Sequence, residues 1–157
     1  MFCHQCQETM RNSGCALAKG VCGKTAEVSD LQDLVVHVCK GIGFWAARGA
    51  AAGVYDEKAA FFVDRMLFAT ITNANFSAGE CLAIRDGLRA ACAKAGLGAS
   101  MSLPDAATWA ASTPDAIRAA ASQGKGGWKE IADENVRALQ SLVLYGLKGM
   151  AAYVEHA

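Results

Sequence analysis

The sequence has no surplus of charge of either sign: Lys and Arg total 15, and Asp and Glu total 15. That balance argues against nucleic acid or an anionic membrane surface as a partner, since both are gripped by a basic excess. A basic start followed by an apolar segment is also missing, so no secretory leader is expected. The alanine-rich stretches are broken by Arg, Asp, Glu or Gly well short of the ~20 apolar residues that span a bilayer. The expectation is a cytoplasmic protein in a reducing compartment, where cysteines serve as metal ligands or core thiols more than as disulfides. There is no Ser/His/Asp set and no H-E-x-x-H motif, and "GKGG" at 124–127 lacks the strand and spacing of a phosphate-binding loop. No strong hairpin signal is present, which leaves an all-α chain.

What is present is helical periodicity. Leu31, Leu34, Val35, Val38, Ile42 and Trp45 fall on one face of an amphipathic helix. Thr25 sits at its N-cap position with Glu27 in the first turn, and Gly49 and Gly53 mark the exit. A second helix is expected from about Glu57 to Asn73, carrying Phe61, Phe62, Met66, Leu67 and Ile71. Ser77 and Glu80 form a capping box for a third, which Gly96 ends. Thr113 and Pro114 supply an N-cap and N1 proline for a short helix, and a last helix runs from about Asp133.

The first and last long helices resemble each other without gaps. Val28/Val136, Leu31/Leu139, Gln32/Gln140, Leu34/Leu142, Val35/Val143, Lys40/Lys148 and Gly41/Gly149 are identical pairs. Core Leu and Val can match by convergence, but the shared "LQ" and "KG" do not follow from amphipathicity. A duplicated helical unit is the favoured reading. It implies one domain over 1–157: a cysteine loop (1–24), then two helical sub-bundles (25–96 and 97–157). The glycine of each "KG" pair would admit a close helix–helix approach.

Four of the seven cysteines lie in the first 22 residues, at Cys3, Cys6, Cys15 and Cys22. Four soft thiolates suit either zinc or an iron–sulfur cluster. Structural zinc usually takes two tight C-x2–4-C pairs, and here only the first pair is tight, so a cluster is favoured. Gly14, Gly20 and Gly23 would let backbone N–H groups approach cluster sulfurs. The positive end of the helix starting near Thr25 would stabilise a negatively charged cluster.

The stretches "MFCHQCQET", "GVCGKTAEVSDLQDL", "LFATITNANF" and "YGLKGMAAYVEHA" together resemble the N-terminal domain of hybrid cluster proteins, also called prismane proteins or hydroxylamine reductases. The resemblance runs the length of the chain. It implies two three-helix bundles and a surface-near [4Fe–4S] cluster held by Cys3, Cys6, Cys15 and Cys22, with [2Fe–2S] the variant in members with a longer second gap. The family's second, hybrid cluster takes its ligands from domains beyond this one. The chain is therefore expected to lack that centre and to act in electron transfer or redox sensing. An oxidoreductase working at its own or an unexpected second cluster is the alternative, and a structural zinc protein the third.

Cys39, Cys81 and Cys92 are expected to be core thiols, with a second metal site the competing possibility. His4 is expected to be a solvent-facing spacer. Lys24 could offset cluster charge or be solvated, and His37 and His156 receive no role. Helix faces that other domains cover in longer relatives would be apolar and exposed here. A homodimer is the expected response, with a protein redox partner as the other.

Overall fold

The computed structural model describes residues 1–7, 14–72, 78–98 and 102–157; for residues 78–81 and 84 it describes the backbone alone. The chain is all-α, as the periodicity predicts. Its helices are α1 (Ala26–Ala51), α2 (Glu57–Thr72), α3 (Ala78–Lys94), α4 (Asp105–Thr108), α5 (Pro114–Ser122) and α6 (Glu134–His156), with a 3-10 turn at Trp128–Glu130.

The local signals act where expected. Thr25 Oγ1 accepts the Val28 N–H at 3.3 Å and opens α1. Thr113 does the same for Ala116 at 3.2 Å, with Pro114 at the start of α5. Asp133 caps α6 through the N–H groups of Asn135 and Val136 at 2.9 and 3.0 Å. Gly53 and Gly96 follow α1 and α3 at positive φ, the conformation glycine adopts without strain. Asn73 and Ser77, the expected end of α2 and cap of α3, lie outside the described residues.

α1 is the axis of the molecule, packing against α2, α3, α4 and α5, while α6 packs on α2. One core cluster gathers Val35, Val38, Cys39, Met66 and Leu82; a second gathers Ile42, Trp45, Ala59, Leu88, Cys92 and Ala107. The Trp45 indole N–H, buried in the second, donates to Ala107 O at 3.0 Å and so meets its polar need. Cys39 and Cys92 are core residues, as expected; the side chain of Cys81 lies outside what is described. α4 reaches the axis because Gly41 has no side chain. A Cβ there would stand 2.0 Å from Ala106 O, which is the close approach the first "KG" pair foreshadows.

The second "KG" pair behaves differently. Leu34 and Val35 are fully buried on α1, whereas their counterparts Leu142 and Val143 are 71% and 62% exposed on α6. Lys40 is exposed, and its counterpart Lys148 is 2% exposed. Matching sequences thus present opposite faces to the core. α6 touches the helices through Leu144 and Ala151, which pack near Val36 and Leu67.

Candidate metal centre

The cysteine loop is held at three places. Cys3 and Cys15 exchange both backbone hydrogen bonds, at 3.0 and 2.8 Å, forming an isolated antiparallel bridge. In such a pair the Cα atoms stand about 5.5 Å apart with both side chains on one face. Gly14 makes the bridge possible: its φ is +77°, and a Cβ would lie 2.8 Å from Cys3 O. Further on, Gly23 N–H donates to Gly20 O at 2.9 Å and Gly20 N–H to Lys24 O at 2.8 Å, folding a tight turn around Cys22. A Cβ at Gly20 would come 3.5 Å from Cys22 Sγ, so the backbone passes close beneath that sulfur. The third anchor is α1 itself, where the Ser29 hydroxyl donates to Phe2 O at 3.1 Å. The N-terminal turn of α1, with its partial positive charge, therefore lies beside the loop.

Cys3 and Cys15 are buried, Cys6 is half-buried and Cys22 is exposed. Among the described residues no three Cys, His, Asp or Glu side chains converge on a point that would hold a single metal ion. Each thiolate of a cubane ligates its own iron, so its four ligands need not converge in that way. Residues 8–13, between Cys6 and Cys15, lie outside the described set.

Two lysines turn inward on this loop. Lys24 is buried, and its Nζ lies 3.8 Å from Cys3 Sγ while donating to Gln32 Oε1 and, at 3.4 Å, to Thr70 O. Of the two readings of Lys24, the solvated one does not hold: the turn at Gly23 swings residue 24 under the loop, where carbonyl acceptors from α1 and α2 receive it. Lys148 reaches in from α6 and donates to Gln5 O at 2.8 Å and to Gln5 Oε1. Burial, with Lys24 nearby, lowers its pKa to about 8, against the pull of Asp33, Cys3 and Cys6. Asp33 is the neighbouring carboxyl, bonded by the Gln5 amide. Burial raises its pKa to about 7, so it offsets the lysines only in part at neutral pH. A buried cation is costly without counter-charge, and among the described residues the cysteine thiolates can share with Asp33 in supplying it.

His4 is also corrected. Its ring stacks on Phe2 at 5.6 Å and lies 5.4 Å from Trp128, and its Nδ1 is buried with no partner among the described residues. Burial first, then Lys148 and Lys40, lower its pKa to about 4, leaving it neutral near pH 7. Tyr145 of α6 closes the arrangement by donating to His4 O. Its phenol pKa is raised by burial and by Cys6 and Cys3. Lys148, Tyr145, Gln5 and Trp128 were not singled out as contributors from sequence. The available signal was Lys148 itself, a charge between the apolar Leu147 and Met150 in the middle of α6.

The donor set therefore fits an iron–sulfur group: four cysteines on a loop whose backbone passes close to the Cys22 sulfur, two buried lysines and a helix N-terminus. The Prismane/CO dehydrogenase family profile matches residues 1–157. The chain belongs to that family. Its relatives include proteins named hydroxylamine reductase from Desulfosudis oleivorans, 48% identical over 164 residues, and Desulfitobacterium hafniense, 46% identical over 164 residues. A third, from Nitratidesulfovibrio vulgaris, is 44% identical over 169 residues. Each match takes in 100% of this chain but only 29% of the first two relatives and 30% of the third. This family chain thus spans less than a third of their length. No described helix is long and apolar enough to cross a membrane.

Proposed function

We propose that the chain is a redox iron–sulfur protein. It holds one [4Fe–4S] cluster through Cys3, Cys6, Cys15 and Cys22 and serves in electron transfer or redox sensing. The observation that carries the reading is the pair of buried lysines: Lys24 is 3.8 Å from Cys3 Sγ, and Lys148 is tied to Gln5 between Cys3 and Cys6. A four-thiolate cluster is anionic and would supply counter-charge beside these groups, along with a one-electron couple.

The chain's own residues have separable tasks in this reading. Gly14 lets the loop close on Cys3, and Gly20 lets the backbone pass close to the Cys22 sulfur. Lys24 and Lys148 hold positive charge near them. Phe2, neutral His4 and Trp128 form an aromatic stack that keeps water from one side. Cys22, the exposed member, faces solvent, where a protein redox partner would approach.

Anaerobic purification with iron, sulfide and zinc analysis and Mössbauer spectroscopy tests the proposal. The expected result is about four irons per chain, as one cubane requires. Zinc alone would sink the reading. Appreciably more iron, or turnover of hydroxylamine, would favour an enzyme with a second centre. Cys15→Ser should abolish the cluster absorbance while Cys92→Ser leaves it in place. Equal loss in both would reject the ligand assignment.

A further inference from the structure

A cavity of about 320 Å³ lies between α1, α6 and the connector that carries Gly126 and Trp128. Its mouth is polar, with Lys40, Glu130 and Gln140 exposed. Its floor is the buried carboxyl of Asp33, beside His4 and Gln5 of the cysteine loop. One water needs roughly 15 Å³ of such space, so a file of waters fits between solvent and Asp33. The two oxygens of Asp33 differ in their surroundings. Oδ1 accepts the side-chain amide of Gln5. That amide has a fixed orientation, because Lys148 can only donate and meets Gln5 Oε1, which turns the Gln5 Nε2 group toward Asp33. A proton on Asp33 therefore sits on Oδ2. This oxygen lies at the cavity wall, where a Cβ on Gly127 would stand 3.6 Å from it. Among the described carboxyls, Asp33 alone both lines the cavity and bonds the cysteine loop. Asp105 is held by His37 and Lys125, and Glu130 accepts the Gly126 N–H at 2.9 Å.

We propose, on the cluster assignment of the proposed function, that Asp33 is the proton acceptor of the redox site: as the cluster takes one electron, Asp33 Oδ2 takes one proton from water in the cavity. The electron comes from a one-electron donor and the proton from solvent, and the only bond formed is the O–H at Oδ2. The net charge of the site is unchanged, because the charge gained at the sulfurs is matched by the carboxylate charge that disappears. Gln5 sets the two close together, since it bonds Asp33 and lies in the loop between Cys3 and Cys6. An added negative charge beside a buried carboxyl favours its protonated form. The balance at Asp33 already stands near neutrality: burial holds its pKa at about 7, Asp30 pushes the same way, and Lys148 and Lys24 push back. The other groups around the cavity keep their charge through this range. Burial lowers the pKa of His4 and of His37, so both rings are neutral, and Asp105 stays ionised. Lys40 and Glu130 at the mouth are of opposite sign and attract each other.

Potentiometric titration of the loaded protein, with dithionite as reductant, tests this between about pH 6 and 9. The wild-type midpoint potential should fall as pH rises through that range, because a deprotonated Asp33 opposes the incoming electron. Asp33→Asn keeps an acceptor for Gln5 without the charge. Its potential should stay near the acid limb of the wild-type curve and lose most of the pH dependence. Infrared difference spectra give a second readout: reduction should add the C=O band of a protonated carboxyl in wild type, shifted in D2O and absent from Asp33→Asn. Glu130→Gln, at the cavity mouth and away from the loop, should keep both signals. A loaded wild-type protein with a flat potential, or with no carboxyl band on reduction, would overturn the proposal whether or not the variant folds. So would a slope that Asp33→Asn shares in full, which would assign the proton to Lys148, with its pKa of about 8. A chain that takes up no cluster fails earlier, at the iron analysis, and overturns the proposed function together with this coupling.

Discussion

Lys24 shows how much one side chain can decide in this protein. It follows the Cys22-Gly23 turn in sequence, and the turn aims it inward rather than at water. A single positive charge at that range, in a half-screened environment, stabilises added negative charge by about 2 kcal/mol. Lys24→Met should therefore lower the midpoint potential of the bound cluster by on the order of 50–100 mV, with iron content retained. Protein-film voltammetry measures it, and an unchanged potential would remove Lys24 from the electrostatics of the site. Without the cluster the same substitution should leave the fold as stable or more stable, because it removes a buried charge. The opposite signs of the two effects separate a charge-balancing role from a packing role. Gln5 and Asp33 belong to the same local account. Neither attracts notice in the sequence, since an isolated Gln and an Asp on a helix are ordinary residues until Lys148 arrives from 143 positions away.

Elements meet in this molecule through small residues and a polar latch. Gly41 lets α4 lie on α1, and a methyl group there would overlap Ala106 O at 2.0 Å. Gly41→Ala should destabilise the chain by about 2–4 kcal/mol, read by chemical denaturation. Gly149→Ala, at the matching position of α6, has open space and should leave chain stability equal or raised by up to ~1 kcal/mol. Equal losses in both would show that the two positions carry the same packing role after all.

The latch is His37–Asp105–Lys125, with 2.8 Å between His37 Nε2 and Asp105 Oδ2. It ties α1, α4 and the glycine-rich connector together. Burial lowers the His37 pKa, against the pull of Asp105. For Asp105, burial pushes upward, but hydrogen bonds from Lys125 and His37 prevail and leave its carboxyl below the usual range. Both groups bind protons less readily folded than unfolded, so their contribution is lost on acidification. For His37 the loss begins below about pH 6.5, and for Asp105 it follows in the more acid carboxylate range. Asp33 has the opposite sign, with its pKa raised, so the test is a difference. The stability of wild type relative to His37→Gln should fall between about pH 6.5 and 5, and a flat difference would show that the pull of Asp105 cancels the burial of His37.

At the scale of the whole molecule, the two ends of the chain support each other. Tyr145 and Lys148 of the last helix hold His4 and Gln5 of the cysteine loop, and Lys24 joins that loop to α1 and α2. Removing the cluster leaves Lys24 and Lys148 without their counter-charge at this junction. The apoprotein should therefore melt at least ~5 °C lower than the loaded form. Limited proteolysis should cut it first in residues 1–25. Identical melting temperatures would mean that the loop is organised without its ligand.

The sequence by itself determined the starts of α1, α5 and α6 and the end of α3, because caps and glycines act within one turn of the chain. Thr25, Thr113, Asp133 and Gly96 needed no distant partner to do so. It also pointed to the crowding of Cys3, Cys6, Cys15 and Cys22 near one end as the candidate thiol set, and it determined the family to which the chain belongs. Only the tertiary structure decided which face of each repeat helix turns inward. Leu34 and Leu142 are the same residue in the same local pattern, and local pattern cannot record whether a neighbour covers it. Long-range packing buried one and left the other exposed. The same packing carried Lys148, read in sequence only as half of a repeated pair, to the cysteine loop.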